Sequence, residues 1–180
     1  MRAVRTTIPE IILLEPRVFE DTRGFFYESY NRDVFRQHGI DAEFVQDNHS
    51  HSVRNVLRGL HYQIRQPQGK LVRVTAGQVF DVAVDLRRSS ATFGKWTAFT
   101  LSAASRRVAW IPSGFAHGFL VLSDYAEFLY KTTDYYAPQH ERCIVWNDPN
   151  LAIIWPVGVV PMVSAKDQAG RQFRDADVFL

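Results

Sequence analysis

One short stretch of the chain, residues 56–62, carries ionisable side chains on an otherwise apolar ribbon. It contains Arg58 and His61, and Lys70 follows nine residues after the histidine. Its valine, leucine and tyrosine residues favour a strand, which would end at the loop signal of residues 66–69. A neutral imidazole can take a proton near pH 7, and two cations can stabilise an anion. The stretch therefore indicates a site that removes a proton and stabilises the negative charge left behind.

A catalytic imidazole needs a fixed tautomer, which a carboxylate on its other ring nitrogen usually provides. Asp167 is one candidate, but its spacing from Ser164 also fits a capping box that only satisfies a helix end. The sequence offers three further candidates and does not choose among the four: Asp47, Asp81 and Asp85.

Composition limits the class of protein. The chain has 180 residues, of which 46% are apolar, and we expect one folded domain over residues 1–180. A net charge of +2 is too small for a protein that coats nucleic acid. Cys143 is the only cysteine, and the apolar run of residues 11–14 is too short for a signal peptide or a membrane span. We therefore expect a cytoplasmic protein with no nucleic-acid or membrane partner.

The pattern of elements is almost entirely β. Polar turns separate short runs of alternating apolar residues at regular intervals, which is typical of a sandwich or barrel that could hold one small ligand. One or two strands are expected before residue 20, with short helices from Asn31 to Gly39 and from Ser164. Further candidate strands are residues 25–30, 56–62, 71–76, 80–86, 95–101, 108–111, 119–122 and 126–133.

Charged residues also mark two of the turns. The pairs Arg87–Arg88 and Arg106–Arg107 are expected to be solvated, with no part in a site. Just before the first pair, the alternation of residues 80–86 places Asp81 and Asp85 on the strand face opposite the apolar side chains.

A metal site is the main alternative role for the histidines. His49-Ser50-His51 and residues 112–117 match parts of the motifs of metal-binding cupin barrels, and His61 would complete a three-histidine site. However, Asn55 stands where an acidic ligand is expected, and Val121 where an asparagine is expected. We therefore expect no metal. The chain also lacks the glycine-rich nucleotide loops and the nucleophile elbow of other enzyme classes.

Nine blocks of sequence, in order, resemble the dTDP-4-dehydrorhamnose 3,5-epimerases, the RmlC family of the cupin superfamily. They are spread in order through most of residues 8–167, so the resemblance is specific. The blocks are residues 21–30 (DTRGFFYESY), 44–50 (FVQDNHS), 55–63 (NVLRGLHYQ), 68–73 (QGKLVR), 80–85 (FDVAVD), 111–119 (IPSGFAHGF), 127–131 (EFLYK), 144–148 (IVWND) and 164–167 (SAKD).

The resemblance implies an all-β fold, a cupin-type jelly roll (double-stranded β-helix) with a few short peripheral helices. It implies a homodimer without metal or redox cofactor, in which the partner subunit supplies the part of the pocket around residues 23–28. The implied activity is inversion of C3 and C5 of dTDP-4-dehydro-6-deoxy-D-glucose, which gives dTDP-4-dehydro-L-rhamnose. That product belongs to dTDP-L-rhamnose biosynthesis, which serves cell-wall polysaccharide and lipopolysaccharide.

Roles follow by position from the same resemblance. His61 is the implied base, Asp167 its orienting carboxylate, Tyr130 the acid, and Lys70 the group that stabilises the enolate. Tyr136 matches the ring that stacks on thymine. The implied substrate-binding residues are Arg23, Phe26, Glu28, Gln46, Asn48, Arg58, Lys70, His117, Tyr136, Glu141 and Lys166.

The positions of Arg58 and His61 then require an irregular strand. Their spacing is odd, so a regular strand would point the two side chains to opposite faces. Both can face one pocket if Gly59 allows a bulge, or if Arg58 lies at the strand end. We predict an irregularity at Gly59.

Two other functions stay open at this point. A relative that inverts only C3 or only C5 of another dTDP-4-keto-deoxysugar would share every matched position. A metal-dependent cupin oxygenase or isomerase would need a bound iron, manganese or zinc ion.

Overall fold

Thirteen short strands carry most of the fold in the computed structural model, which describes residues 1–180. Two short helices, α1 (Arg32–Gln37) and α2 (Ala165–Gln168), accompany them, and neither is long or apolar enough to cross a membrane. The strands are β1 (Arg2–Arg5), β2 (Ile12–Glu15), β3 (Val18–Asp21), β4 (Gly24–Tyr27), β5 (Gln46–Val53), β6 (Leu57–Gln63), β7 (Lys70–Ala76), β8 (Gln78–Asp85), β9 (Trp96–Ser102), β10 (Val108–Ile111), β11 (Phe115–Val121), β12 (Tyr125–Thr132) and β13 (Glu141–Cys143).

The strands form two antiparallel sheets and one separate ribbon. Six strands pair in the order β1-β2-β10-β7-β12-β5, and five pair in the order β13-β6-β11-β8-β9. Strands β3 and β4 pair only with each other. Apolar side chains from both large sheets pack together in one buried cluster, so the sheets face each other as a sandwich. The expected all-β jelly roll with a few short helices is confirmed.

Apolar residues are buried on both faces of the sandwich as well as between its sheets. Phe35 of α1 and Ile40 cover part of the outer face of the six-stranded sheet. The segment after β13 covers the outer face of the other sheet, where Leu151 and Trp155 pack on Val82 and Val84. Because both faces of β8 are buried, its alternation does not separate core from solvent.

The burial of β8 explains one wrong expectation. Asp85 is fully buried and accepts hydrogen bonds from Arg87, Ser90 and Thr92. Arg87 also pairs with Glu10 at 2.8 Å. This arginine is therefore not a solvated turn residue, because it neutralises a carboxylate that the fold has removed from water.

The two predicted helix starts are confirmed. The Asn31 side chain accepts hydrogen bonds from the amides of Asp33 and Val34, and Ser164 Oγ accepts one from the amide of Asp167. Each side chain satisfies a backbone donor that the first turn of a helix leaves free.

The predicted irregularity at Gly59 is also confirmed. His117 pairs with His61, while Phe119 pairs with Arg58, so two steps along β11 oppose three along β6. The extra residue is a bulge, and it lets Arg58 and His61 line the same cavity. Gly59 has φ of +127°, a conformation that side chains strongly disfavour.

A second glycine, Gly118, permits the close contact across this bulge. A Cβ added at Gly118 would lie 2.7 Å from the Arg58 carbonyl oxygen and 3.1 Å from the Gly59 Cα. Gly118→Ala should therefore lower the free energy of unfolding by about 1–3 kcal/mol, measured by urea denaturation. Gly158→Ala is the matched control, because nothing lies within 4 Å of its added Cβ. Equal stability of the two variants would contradict the tight contact.

Candidate active site

A cavity of about 370 Å³ opens between the two sheets, within the size range of small-molecule sites. Phe119 and Phe128 belong to the apolar core and also line the cavity, with their rings stacked 4.3 Å apart. Most of the remaining lining is polar. The lining residues are Gln46, Asn48, Ser50, Arg58, His61, Tyr62, Gln63, Gln68, Lys70, His117, Gly118, Phe119, Phe128, Tyr130, Tyr136 and Glu141.

His61 is held by Asp167, which the family resemblance implied and which residue patterns alone did not single out. Its Nε2 lies 2.6 Å from Oδ1 of Asp167, and Oδ2 of Asp167 accepts a hydrogen bond from the amide of Gly59. Burial alone would raise the pKa of Asp167, but the bonds from His61 and Gly59 outweigh it and lower that pKa. An ionised Asp167 fixes an Nε2–H tautomer, which leaves Nδ1 of His61 with a free lone pair.

Tyr130 reaches the cavity from the opposite sheet. It lies on β12 of the six-stranded sheet, whereas His61 lies on β6 of the five-stranded sheet. Burial and the nearby charge of Glu141 raise the pKa of Tyr130, so its hydroxyl keeps its proton at neutral pH. The two sheets therefore place a proton acceptor and a proton donor on either side of the cavity.

Lys70 supplies a buried positive charge beside them. Its Nζ donates to the carbonyl oxygen of His61 at 3.3 Å, and no carboxylate lies within ion-pair distance. Burial lowers the pKa of Lys70 to about 8, while the charges of Asp81 and Glu141 oppose that shift. The Lys70 side chain therefore loses its proton at a pH only slightly above neutral, and no carboxylate forms an ion pair with it.

His117 forms a second histidine–carboxylate pair. Its Nε2 lies 3.0 Å from both oxygens of Asp81, which is fully buried. Burial raises the pKa of Asp81, although the neighbouring His117 and Lys70 act against this. Because β6 and β11 pair His117 directly with His61, two oriented imidazoles lie next to each other on one sheet.

Arg58 and Asn48 present free donors to the cavity. The Nε of Arg58 donates to Ser52 Oγ at 3.0 Å, and no carboxylate pairs with its guanidinium. The Nδ2 of Asn48 is buried with no hydrogen-bond partner. Its Oδ1 accepts from Gln46 at 2.9 Å, which fixes the orientation of the amide. A buried donor without a partner is costly, so a ligand that accepts from it would be favoured.

Tyr136, Glu141 and Lys166 form a linked group at the cavity. The Tyr136 hydroxyl donates to Oε2 of Glu141 at 2.6 Å, and Lys166 forms an ion pair with the same oxygen. Burial raises the pKa of Glu141, but the bonds from Lys166 and Tyr136 prevail and lower it. Lys166 therefore acts at the cavity through Glu141 and is not part of the lining.

Besides Lys166, three predicted binding residues do not line this cavity. Arg23 pairs with Asp21 at 2.6 Å on the β3–β4 ribbon, and Glu28 accepts from Asn31. Phe26 is 70% exposed on the same ribbon. The chain alone does not bring these residues to the rest of the site.

Several lining residues were missed by sequence reasoning. Gln63 is one of them, and it holds the loop that carries Tyr136 through bonds to Gln66, Tyr135 and Ala137. Ser50 carried a readable signal, since it continues the alternation of polar residues along β5. The other missed lining residues are Tyr62, Gln68, Gly118, Phe119 and Phe128.

The three-histidine cluster considered as a metal site does not assemble. His49 lies 3.3 Å from Glu127, and His51 stacks on Tyr125, both on the outward face of β5. Neither residue lines the cavity that His61 reaches.

Comparison with known proteins agrees with this geometry. A model of the family described as dTDP-4-dehydrorhamnose 3,5-epimerase matches residues 5–175. A curated protein of that name from Pseudomonas aeruginosa is 66% identical over 180 residues, covering 99% of each chain.

Two solved structures are also similar. The RmlC of Legionella pneumophila, described as a dTDP-6-deoxy-D-glucose-3,5-epimerase in complex with dTDP-4-keto-L-rhamnose, has a TM-score of 0.95 and 51% identity, covering 98% of this chain and 94% of that chain. ChmJ of Streptomyces bikiniensis, described as a 3'-monoepimerase in complex with dTDP-quinovose, has a TM-score of 0.88 and 33% identity, covering 93% and 86%. The chain therefore belongs to the dTDP-4-dehydrorhamnose 3,5-epimerase family.

Proposed function

We propose that the protein inverts C3 and C5 of dTDP-4-dehydro-6-deoxy-D-glucose and so produces dTDP-4-dehydro-L-rhamnose. The C4 ketone acidifies the hydrogens on C3 and C5, because the electrons left behind delocalise onto the ketone oxygen. Inversion then requires removal of a proton from one face of the sugar and delivery of a proton to the other.

The observation that carries this proposal is the position of His61 and Tyr130 on opposing sheets. His61 is the base, since Asp167 leaves its Nδ1 free to accept a proton. Tyr130 is the acid, since its raised pKa keeps the hydroxyl protonated. A sugar ring between the sheets would meet the base on one face and the acid on the other, as inversion requires.

Lys70 is the group that stabilises the enolate. A positive charge in a site shielded from water acts strongly on a developing oxyanion and needs no reorganisation when the charge appears. Lys70 is buried and has no carboxylate partner, so its charge is available to the C4 oxygen.

The role of Lys70 predicts a loss of activity at alkaline pH. Its pKa of about 8 means that the ammonium is present below that pH and is lost above it. We expect kcat/KM to fall about tenfold per pH unit beyond this midpoint, because only the cation stabilises the enolate. Tyr130 titrates at higher pH and does not set this limb.

The pH profile has a matched control on the outer surface. Lys131→Met removes a lysine that pairs with Asp47 and should leave the alkaline limb unchanged. Lys70→Met should remove nearly all turnover at every pH. A wild-type rate that stays level to about pH 9 would contradict a charge requirement at Lys70.

The remaining cavity residues suit the nucleotide part of the substrate. The unpaired guanidinium of Arg58 can bind a pyrophosphate oxygen, because its planar donors match phosphate geometry. The free amide of Asn48 offers a further donor. Tyr136, held by Glu141, presents a ring that can stack on thymine.

The test of the proposed function is incubation with the ketosugar nucleotide in heavy water, followed by NMR. Deuterium at both C3 and C5 with inversion at both centres is the expected result. Exchange and inversion at one carbon alone would instead identify a mono-epimerase, the activity named for the similar ChmJ. Absence of exchange at both carbons would reject epimerisation through an enolate.

We further propose a homodimer in which each subunit completes the pocket of the other. The β3–β4 ribbon exposes Phe19, Phe25 and Phe26, and its Arg23 and Glu28 match substrate-binding positions of the family. An exposed aromatic ribbon is typical of a surface that binds another chain.

The free thiol of Cys143 suits the reducing cytoplasm, where we propose that this single domain acts.

Mixed dimers test the shared pocket. The variants Arg23→Ala and His61→Ala should each be inactive alone, but a mixed dimer has one pocket free of both changes. After subunit exchange, about a quarter of the wild-type activity should return, because half of the dimers are mixed and each has one intact site. No recovery in a mixture shown to contain mixed dimers would place Arg23 in its own chain's pocket.

A further inference from the structure

We propose that His61, Cys143 and Asp167 form a binding site for Zn²⁺ or a similar thiophilic cation, and that the bound ion inhibits the enzyme. One ligand atom from each residue lies within 4.8 Å of the other two. Imidazole, thiolate and carboxylate are the groups that bind Zn²⁺ in proteins. The cluster uses the Asp167-facing side of His61, away from the nitrogen that takes the substrate proton.

The fold places the three side chains together through regular pairing. Cys143 on β13 is the direct cross-strand partner of His61 on β6, so both side chains project from the same face of the sheet. Asp167 comes from α2, and the backbone amide of Gly59 holds its second oxygen. His61 and Cys143 are both partly exposed, so an ion can reach the cluster from solvent.

The distances need only a small adjustment to accept a zinc ion. Metal–ligand bonds of about 2.0–2.3 Å in a tetrahedron separate the ligand atoms by about 3.3–3.7 Å. Nε2 of His61 and Oδ1 of Asp167 are 2.6 Å apart, so the distance between these two atoms must increase. Sγ of Cys143 lies within 4.8 Å of the ligand atoms of these two residues and must come to about 3.7 Å or less. This approach requires a rotation about the Cα–Cβ bond of Cys143, which leaves the pairing of β13 with β6 in place.

Protons and charge balance in the bound state. The neutral imidazole keeps its single proton, which moves from Nε2 to Nδ1 when Nε2 binds the metal. The Cys143 thiol releases its proton to solvent, since a coordinated thiol is deprotonated. One thiolate and one carboxylate then neutralise the two positive charges of the ion, and water takes the fourth position.

Inhibition follows directly from the tautomer change. Nδ1 of His61 carries the substrate proton in the proposed mechanism, and a protonated Nδ1 has no lone pair to accept it. Asp167 is also taken from its hydrogen bond with Nε2. The ion therefore removes the base without occupying the sugar position.

Optical titration with Co²⁺ tests the site independently of epimerase activity. Cys143 is the only cysteine in the chain, so a thiolate-to-Co²⁺ charge-transfer band can come from no other residue. We expect the band in the wild type, its loss on addition of Zn²⁺, and its absence in Cys143→Ala. A wild-type titration without the band would overturn the proposal.

Inhibition by Zn²⁺ is the second test. The assays contain a phosphine reductant, because dithiol reductants would bind the metal. Each variant is normalised to its own metal-free rate. Cys143→Ala should raise the half-inhibitory Zn²⁺ concentration by at least about tenfold, since loss of even an outer-shell partner costs about 10- to 100-fold in metal affinity and Cys143 would bind the ion directly. The double variant His49→Ala/His51→Ala removes the outward histidine pair beside Glu127 and should be inhibited like the wild type. Inhibition that depends on this pair and not on Cys143 would overturn the proposal.

Discussion

His61→Ala should abolish both hydrogen exchange and inversion at C3 and C5. The imidazole lines the cavity and is oriented by a 2.6 Å bond to Asp167, whereas the neighbouring His117 is 6% exposed and directs its Nε2 to Asp81. Without it no group removes the substrate proton, so the enolate does not form. The loss of turnover should be roughly 100- to 10,000-fold, measured by NMR in heavy water.

A second variant separates chemistry from folding. His61→Ala leaves the buried carboxylate of Asp167 without its main partner, which costs roughly 1–3 kcal/mol of stability. His61→Asn can still donate to Asp167 but has no comparable base, so it should fold more stably and remain inactive. His51→Ala is the matched control, because that histidine faces outward beside Tyr125. Full exchange activity in either His61 variant would disprove the base assignment.

The carboxylate that orients His61 shows where sequence information ends. Residue patterns left four aspartates as candidates, and the choice of Asp167 came from the family resemblance. The fold pairs Asp167 with His61 and Asp81 with His117. His61 and Asp167 lie 106 positions apart, and no local pattern reports a contact of that range. The helix cap at Ser164 was readable because it involves neighbouring residues alone, and Asp167 makes both the cap and the hydrogen bond with His61.

Strand β5 shows the opposite case, in which a local pattern was present but misleading. Its histidine, serine, asparagine and aspartate residues do not favour a strand by composition, so no strand was expected over residues 46–53. Gln46, Asn48 and Ser50 alternate into the cavity while His49 and His51 face outward. A strand whose inward face lines a polar cavity reverses the usual apolar pattern, and only the period of two remains as a signal.

The bulge at Gly59 could be predicted because a functional demand conflicted with a geometric rule. Arg58 and His61 were both expected at one cavity, yet an odd spacing separates them to opposite faces of a regular strand. The register shift opposite Gly118 resolves the conflict. The close backbone contact that makes Gly118 necessary could not be predicted, because it depends on the neighbouring strand.

Tyr130→Phe should separate the two halves of the reaction. The variant keeps the ring that packs near Phe128, at 6.1 Å between centroids, and loses only the hydroxyl. His61 can still remove a proton and return a deuteron to the same face, so exchange should continue. Inversion requires delivery from the opposite sheet and should fall roughly 100- to 10,000-fold.

Tyr125→Phe is the matched control for this experiment. It removes a hydroxyl from the same strand, but Tyr125 stands five residues away and faces outward against His51. Its exchange and inversion should match those of the wild type. Equal loss of exchange and inversion in Tyr130→Phe would mean that the hydroxyl also stabilises the enolate, which would shift part of the role proposed for Lys70 onto Tyr130. Unequal loss, with exchange surviving, is the result that two separate residues on two separate sheets require.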